Sequence, residues 1–324
     1  MSRHQAHPVR AARAAMLLVA AFAWSMSSAS QAADVYATFQ TLNSGSLTYA
    51  YGFGKFDLAS PIGTSGSYSY AWTTLLSPTS ATLANLAMSP DTGAMSLQYE
   101  FFEYRTITAT GVLSGSLGPA PALWGMAYDG ADDLYAFNSQ SSGTPWLKLD
   151  PTNGQQLTEG TVTGAFTDND IYSSFGGNLT ARPAGGFYFA NESNGAELVK
   201  FTLSGTNATT VLSGSFAGAG FDQPTDGGGL SLFASGTSLY LLWSSSLFSV
   251  DESTAALTQL GTVTGLPADF TDFTGAASPF VAVPEPAHLT LAAGGVLAGV
   301  VCLSRCRRAG QEQPRITTHD SRAG

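Results

Sequence analysis

Hydrophobic and polar residues alternate in short bursts along most of this chain, which is the period-2 signature of strands. Leu147-Lys-Leu-Asp150 and Leu247-Phe-Ser-Val-Asp251 alternate in this way and suit half-buried strands. Pro151-Thr-Asn-Gly154 follows the first of them with turn chemistry, since proline fixes φ and Asn-Gly tolerates φ > 0. Small and apolar runs such as Leu123-Trp-Gly-Met-Ala-Tyr128 and Leu230-Ser-Leu-Phe-Ala234 read as inner strands. Aromatic bursts come next, as in Leu134-Tyr-Ala-Phe137, Phe187-Tyr-Phe189 and Leu239-Tyr-Leu-Leu242. Away from the two ends, no long stretch carries the 3.6-residue period of a helix.

These bursts repeat. Gly160-Thr-Val-Thr-Gly164 returns as Gly261-Thr-Val-Thr-Gly265, and Val112-Leu-Ser-Gly-Ser116 returns as Val211-Leu-Ser-Gly-Ser215. Aligned, they place equivalent glycines at Gly66, Gly115, Gly164, Gly214 and Gly265, at intervals of 49, 49, 50 and 51 residues. A period near fifty with four short strands per unit predicts an all-β body, a five-bladed β-propeller. A β-sandwich or β-solenoid is the alternative. The first unit has no inner strand of its own, whereas Asp272-Phe-Thr-Gly-Ala-Ala277 follows the last glycine as an orphan inner strand. Joining the two would close the ring and remove exposed sheet edges.

The two ends read differently. Arg3, Arg10 and Arg13 precede an apolar stretch over 14–24, and Ser30-Gln31-Ala32 sets small residues before a cut between Ala32 and Ala33. Residues 1–32 are thus expected to be a signal peptide, the apolar run being too short for a bilayer core of roughly 30 Å. At the far end, Val283-Pro284-Glu285-Pro286-Ala287 leads into a 15-residue apolar run over 289–303, followed by Arg305, Arg307 and Arg308. The expected division is a β-repeat ectodomain at 33–280, a sorting signal at 281–308 with a transmembrane helix at 287–304, and a cytoplasmic tail at 309–324. The arginines stay inside by the positive-inside rule, in agreement with the signal peptide.

Pro-Glu-Pro, a short membrane helix and an arginine cluster, in that order behind a signal peptide, resemble the PEP-CTERM sorting signal of Gram-negative bacteria. The resemblance covers about 25 residues. It implies recognition and cleavage near the tripeptide by an exosortase, and association with exopolysaccharide and biofilm matrix. The chain departs from the family's pattern by running on from Ala309 to Gly324.

Composition narrows the chemistry. Only 11% of the residues are charged, and the 36 glycines exceed the share usual for globular chains. All four histidines (His4, His7, His288, His319) and both cysteines (Cys302, Cys306) lie outside 33–283. That body therefore carries no Ser-His-Asp or Cys-His nucleophile site, no nitrogen or sulfur ligands for zinc, copper or iron, and no disulfide. Five basic residues (Lys55, Arg105, Lys148, Arg182, Lys200) face twenty acidic ones, which argues against nucleic acid as a partner.

Acids are the candidate chemistry that remains. Asp226 and Asp272 precede inner strands and Asp129 follows one, with Trp72 and Trp124 nearby in sequence. A facing pair of such carboxylates is what glycoside hydrolysis requires. Asp129, Asp132 and Asp133, with Asp168 and Asp170, are weak candidates for Ca²⁺, a hard ion satisfied by oxygen ligands. No other cofactor is expected. Exposed aromatics offer stacking surfaces for sugars, although most sit where core packing is the simpler expectation. Asn178, Asn191 and Asn207 match the glycosylation acceptor pattern, which carries little weight in bacterial export.

The sequence thus points to an exported, non-enzymatic envelope or matrix protein. Its expected partners are the sorting enzyme, the membrane and exopolysaccharide. The alternatives are a secreted glycoside hydrolase or carbohydrate-binding protein on a five-bladed propeller, and an ectodomain that stays tethered.

Overall fold

A computed structural model describes residues 34–279 except 64–67, 139–145, 166–178, 182–185, 193–194, 206 and 223–228. The chain divides into two units, Met1–Ala282 and Val283–Gly324, and every described residue belongs to the first. The expected cleavage site at Ala32 and Ala33, the helix at 287–304 and the tail at 309–324 lie outside the described residues. So do Pro284, Glu285, Pro286, Arg305, Arg307 and Arg308. Among the described residues no helix is long and apolar enough to cross a membrane.

Five antiparallel sheets follow one another, each built outward from an inner strand. Blade I joins β22 (Phe270–Ala277) to β1 (Asp34–Asn43), β2 (Thr48–Asp57) and β4 (Thr73–Thr79). Blade II holds β5 (Leu83–Met88), β6 (Met95–Tyr99), β7 (Glu103–Ile107) and β8 (Gly118–Pro119). Blade III holds β9 (Leu123–Tyr128), β10 (Leu134–Asn138), β11 (Trp146–Leu149) and β12 (Gln156–Gly160). Blade IV holds β14 (Leu179–Ala181), β15 (Phe187–Asn191), β16 (Glu197–Ser204) and β17 (Asn207–Ser215). Blade V holds β18 (Leu230–Ser235), β19 (Ser238–Trp243), β20 (Ser246–Val250) and β21 (Leu257–Thr264). Each inner strand packs against the next, and β18 packs against β22, so the ring closes. The chain is a five-bladed β-propeller, closed as the orphan strand predicts: Tyr36 pairs with Ala277 and Phe39 with Phe273.

Alternation along the strands serves two neighbours at once. On β15, Phe187 and Phe189 face blade III while Tyr188 and Ala190 face blade V. Five hydrophobic clusters result, one for each junction between blades. Aromatics fill them. Trp146 packs on Phe137, Phe187 and Phe201 with ring centroids 4.9 to 6.0 Å apart. Strands that the sequence suggests are half-buried, β11 and β20, are therefore largely covered on both faces, whereas the outer strand β17 alternates with solvent and β12 is mostly exposed.

Two strands depart from the four-per-blade expectation. β13 (Val162–Gly164) leaves blade III and pairs in parallel with β17 of blade IV. β3 (Tyr68–Ala71) leaves blade I and pairs in parallel with β21 of blade V. Each covers an outer edge that would otherwise present unpaired backbone groups. The identical pentapeptides at 160–164 and 261–265 consequently play different parts. Gly261 to Thr264 sit within β21, whereas Gly160 ends β12 and the next residues cross to another blade. Gly115 falls between β7 and β8, outside any strand, and Gly66 is not among the described residues. The even spacing of the glycines thus marks the outer edges of blades without one shared conformation.

Candidate functional site

The strand ends organise the candidate chemistry. All five inner strands contribute to a cavity of about 30 Å³ at their trailing ends, with Met88, Met126, Thr180, Ala234 and Ala277 among its walls. That is room for roughly one water. Mostly apolar side chains, with Thr180 and Ser278, line it, and among the described residues no carboxylate does.

Asp272 lies at the leading end of β22 and is 6% exposed. Its Oδ1 accepts the N–H of Phe273 at 2.9 Å, and the N–H groups of Gly229 and Ser244 in blade V also donate to the carboxyl. Burial nevertheless pushes it up to about 7, with Glu192 adding to the shift. The side chain ties the closing strand to the next blade. Asp129 lies at the opposite end, just past β9, where its Oδ1 accepts the N–H groups of Ala131 and Asp133 at 2.9 Å. The two described carboxylates of the glycosidase reading therefore do not converge, and Asp226 lies outside the described residues. Nor is Trp72 on the channel. Its ring is buried between blades V and I, 5.5 Å from Phe273, and its Nε1 donates to Thr74. Trp124 packs half-buried against the cluster between blades III and IV.

The calcium candidates are likewise spoken for. Asp129 caps its own turn, Asp132 accepts the hydroxyl of Ser89, and Asp133 pairs with Lys148 at 2.6 Å. No cluster of three or more potential metal-ligating acids, histidines or cysteines occurs among the described residues, and Asp168 and Asp170 lie outside them. Of the acceptor asparagines, Asn191 is buried, and Asn207 Oδ1 accepts the N–H and hydroxyl of Thr161 at 3.2 and 3.1 Å. Asn178 is outside the described residues.

The leading end also carries a feature that strand patterning does not reveal. In the neighbouring blades I and II the turns between second and third strands lie at this end and expose large apolar side chains. The β1–β2 turn presents Leu47 at 77% exposure and Tyr49 at 47%. The β6–β7 turn presents Phe101 at 52% and Phe102 at 51%. Leu47, Glu100 and Phe101 adopt positive φ of 52°, 51° and 62°, a region that costs residues other than glycine.

The second turn is pinned. Gln98 Nε2 donates to the Phe101 carbonyl, and to that of Pro121 at 2.9 Å, while its Oε1 accepts from buried Asn85 at 2.6 Å. Ala120 donates its N–H to the Phe102 carbonyl at 2.8 Å. Thr82 links this turn to β2 of blade I: its carbonyl accepts from Glu100 at 3.0 Å, and its side chain hydrogen-bonds the phenol of Tyr51, two residues beyond Tyr49. Beside them, the Arg105 guanidinium lies 3.6 Å from the Tyr99 ring centroid and 2.7 Å from the Glu103 carboxylate.

No protein-family model matches this chain, and no curated protein sequence matches it. Solved structures do. TolB from Acinetobacter baumannii matches with 11% identity over 76% of this chain and 66% of TolB, at a TM-score of 0.44. XC5397 from Xanthomonas campestris, a gluconolactonase, matches with 12% identity over 71% of this chain and 77% of its own, at 0.41. The Malassezia sympodialis allergen Mala s 1 matches with 11% identity over 67% of this chain and 68% of its own, at 0.36.

Proposed function

We propose that this chain is an exported, non-enzymatic propeller, delivered to the cell envelope or extracellular matrix by an exosortase-type system and associated there with exopolysaccharide. The observation that carries the reading is the order of signals at the two ends: a signal peptide, then Pro284-Glu285-Pro286, an apolar run and an arginine cluster. The body supports it. The trailing end of its channel holds a cavity of only about 30 Å³ with mostly apolar walls, and Asp129 and Asp272 sit at opposite ends of their strands, occupied by turn and closure hydrogen bonds. Such a ring is a rigid platform whose rims and loops do the binding.

The test is the intact mass of the protein from its own host, with and without the exosortase, alongside a variant carrying Pro284→Ala, Glu285→Ala and Pro286→Ala. Loss of the chain from about Pro284 onward, dependent on both enzyme and tripeptide, is expected. A mass that keeps the C-terminal segment in every background would sink the sorting reading. Release of reducing sugar from polysaccharide by wild type, but not by Asp272→Asn, would overturn the non-enzymatic part.

A further inference from the structure

We propose that the β1–β2 and β6–β7 turns together form a binding rim for a neutral polysaccharide, whose sugar rings stack on Tyr49, Phe101 and Phe102. The inference rests on the polysaccharide association proposed above and names the site and the ligand class. Three observations carry it.

First, the turn that carries the side chains is held by structure. Gln98, Ala120 and Thr82 fix the carbonyls and amide of the β6–β7 turn, and its two phenylalanines stand half-exposed on that fixed backbone. Second, the backbone pays for this presentation. Glu100 and Phe101 occupy successive left-handed positions where Asn-Gly is the inexpensive choice, and Leu47 does the same on the adjoining turn. Strain combined with exposed aromatics in two neighbouring turns, the second tied to β2 through Thr82, is not what packing alone would select.

Third, charge chooses the occupant. The sequence between 33 and 283 has five basic residues against twenty acidic ones, and Glu100 and Glu103 flank the rim. Arg105, beside it, is already held by Glu103 and Tyr99. Among the described residues Lys55, Arg105 and Lys148 are all ion-paired, so the acidic surface disfavours a uronate, sulfate or lipid phosphate. Sugar rings present C–H faces to aromatic faces and hydroxyls to carboxylates, and a neutral glycan supplies both without charge.

The experiment uses the full chain in affinity gel electrophoresis and calorimetry. A β-1,4-glucan hexasaccharide, a β-1,4-mannan hexasaccharide and dextran serve as neutral probes, with polygalacturonate as the anionic one. At least one neutral probe should bind and polygalacturonate should not. Phe101→Ala with Phe102→Ala, and separately Tyr49→Ala, should each weaken that binding tenfold or more at unchanged melting temperature. Phe101→Trp with Phe102→Trp should retain it and guards against a folding artefact.

Binding of polygalacturonate alone, or of no neutral probe, overturns the proposal. So does equal binding by the alanine variant, or a rim that instead captures zwitterionic vesicles or a second copy of the chain. If matrix polysaccharide from the host binds wild type and alanine variant equally, the rim fails while the association stands. If it binds neither, both fail.

Discussion

Asp272 shows how one buried side chain gives the fold a pH dependence. Burial raises its carboxyl to about 7 despite three N–H donors, so the folded ring favours the neutral acid. Its contribution is complete below the ordinary carboxylate pKa near 4 and is lost as pH rises through about 7. Glu197, also raised by burial, acts in the same sense. Asp150 and Asp251 act in the opposite sense. Their turns donate hydrogen bonds from Thr152 and Ser253 that hold both carboxyls below the usual range, so their contribution is lost only as pH falls through those lowered values. The melting temperature should therefore decline from about pH 4 to about pH 7, and Asp272→Asn should flatten that decline. Parallel slopes for wild type and variant in a pH series of thermal melts would refute this account of Asp272.

Gly154 makes a second residue-level case. It has φ +72°, and a Cβ there would stand 2.3 Å from the Tyr104 Cβ. Tyr104 in turn donates its hydroxyl to the Pro151 carbonyl at 2.8 Å, hooking blade II to blade III. Gly154→Ala should cost at least about 2 kcal/mol, whereas Gly236→Ala, also at positive φ but with open space, should cost about 1 kcal/mol. Denaturant titration separates the two. The turn residues themselves are legible in Pro151-Thr-Asn-Gly154, but the neighbour that makes its glycine indispensable lies fifty residues earlier in the chain.

At the level of elements, β22 holds the ring shut. Phe273 is fully buried and meets Trp72 and Phe270 at centroid distances of 5.5 and 4.9 Å. Phe273→Ala should cost about 3–5 kcal/mol of unfolding free energy. A chain ended after Asp269 should elute from size exclusion as oligomers, because β1 then presents an unpaired edge. A monodisperse monomer of native melting temperature would show that closure by this strand is dispensable. The orphan strand and its missing partner unit are readable from the repeat, as are the inner strands of blades III and V and the aromatic strands of blades III to V. The parallel latches β3 and β13 are not. Gly-Thr-Val-Thr-Gly carries the same local preference at both of its positions, and whether it stays in its own blade or crosses depends on which edge lies within reach.

For the whole molecule, stability comes from five apolar junctions with no covalent staple. Both cysteines lie at 302 and 306, beyond the propeller, so dithiothreitol should leave its melting temperature unchanged. Asp129, Asp132 and Asp133, the described calcium candidates, have turn, hydroxyl and lysine partners, so chelation should not shift it either. A drop of several degrees on adding EDTA would point to a site among residues beyond those described.

The sequence by itself determines the all-β class, the fifty-residue period and the orphan strand that closes the ring, because each is a local pattern repeated along the chain. The tertiary structure alone decides which residues meet. It sends Asp129 and Asp272 to opposite ends of the ring, buries Trp72 between blades, and ties the turn that carries Phe101 and Phe102 to Tyr51 of β2 through Thr82. Alternation tells which side chains share one face of a strand's sheet. It does not tell which neighbour, or how much water, awaits them there, because that is set by chain segments far away in the sequence.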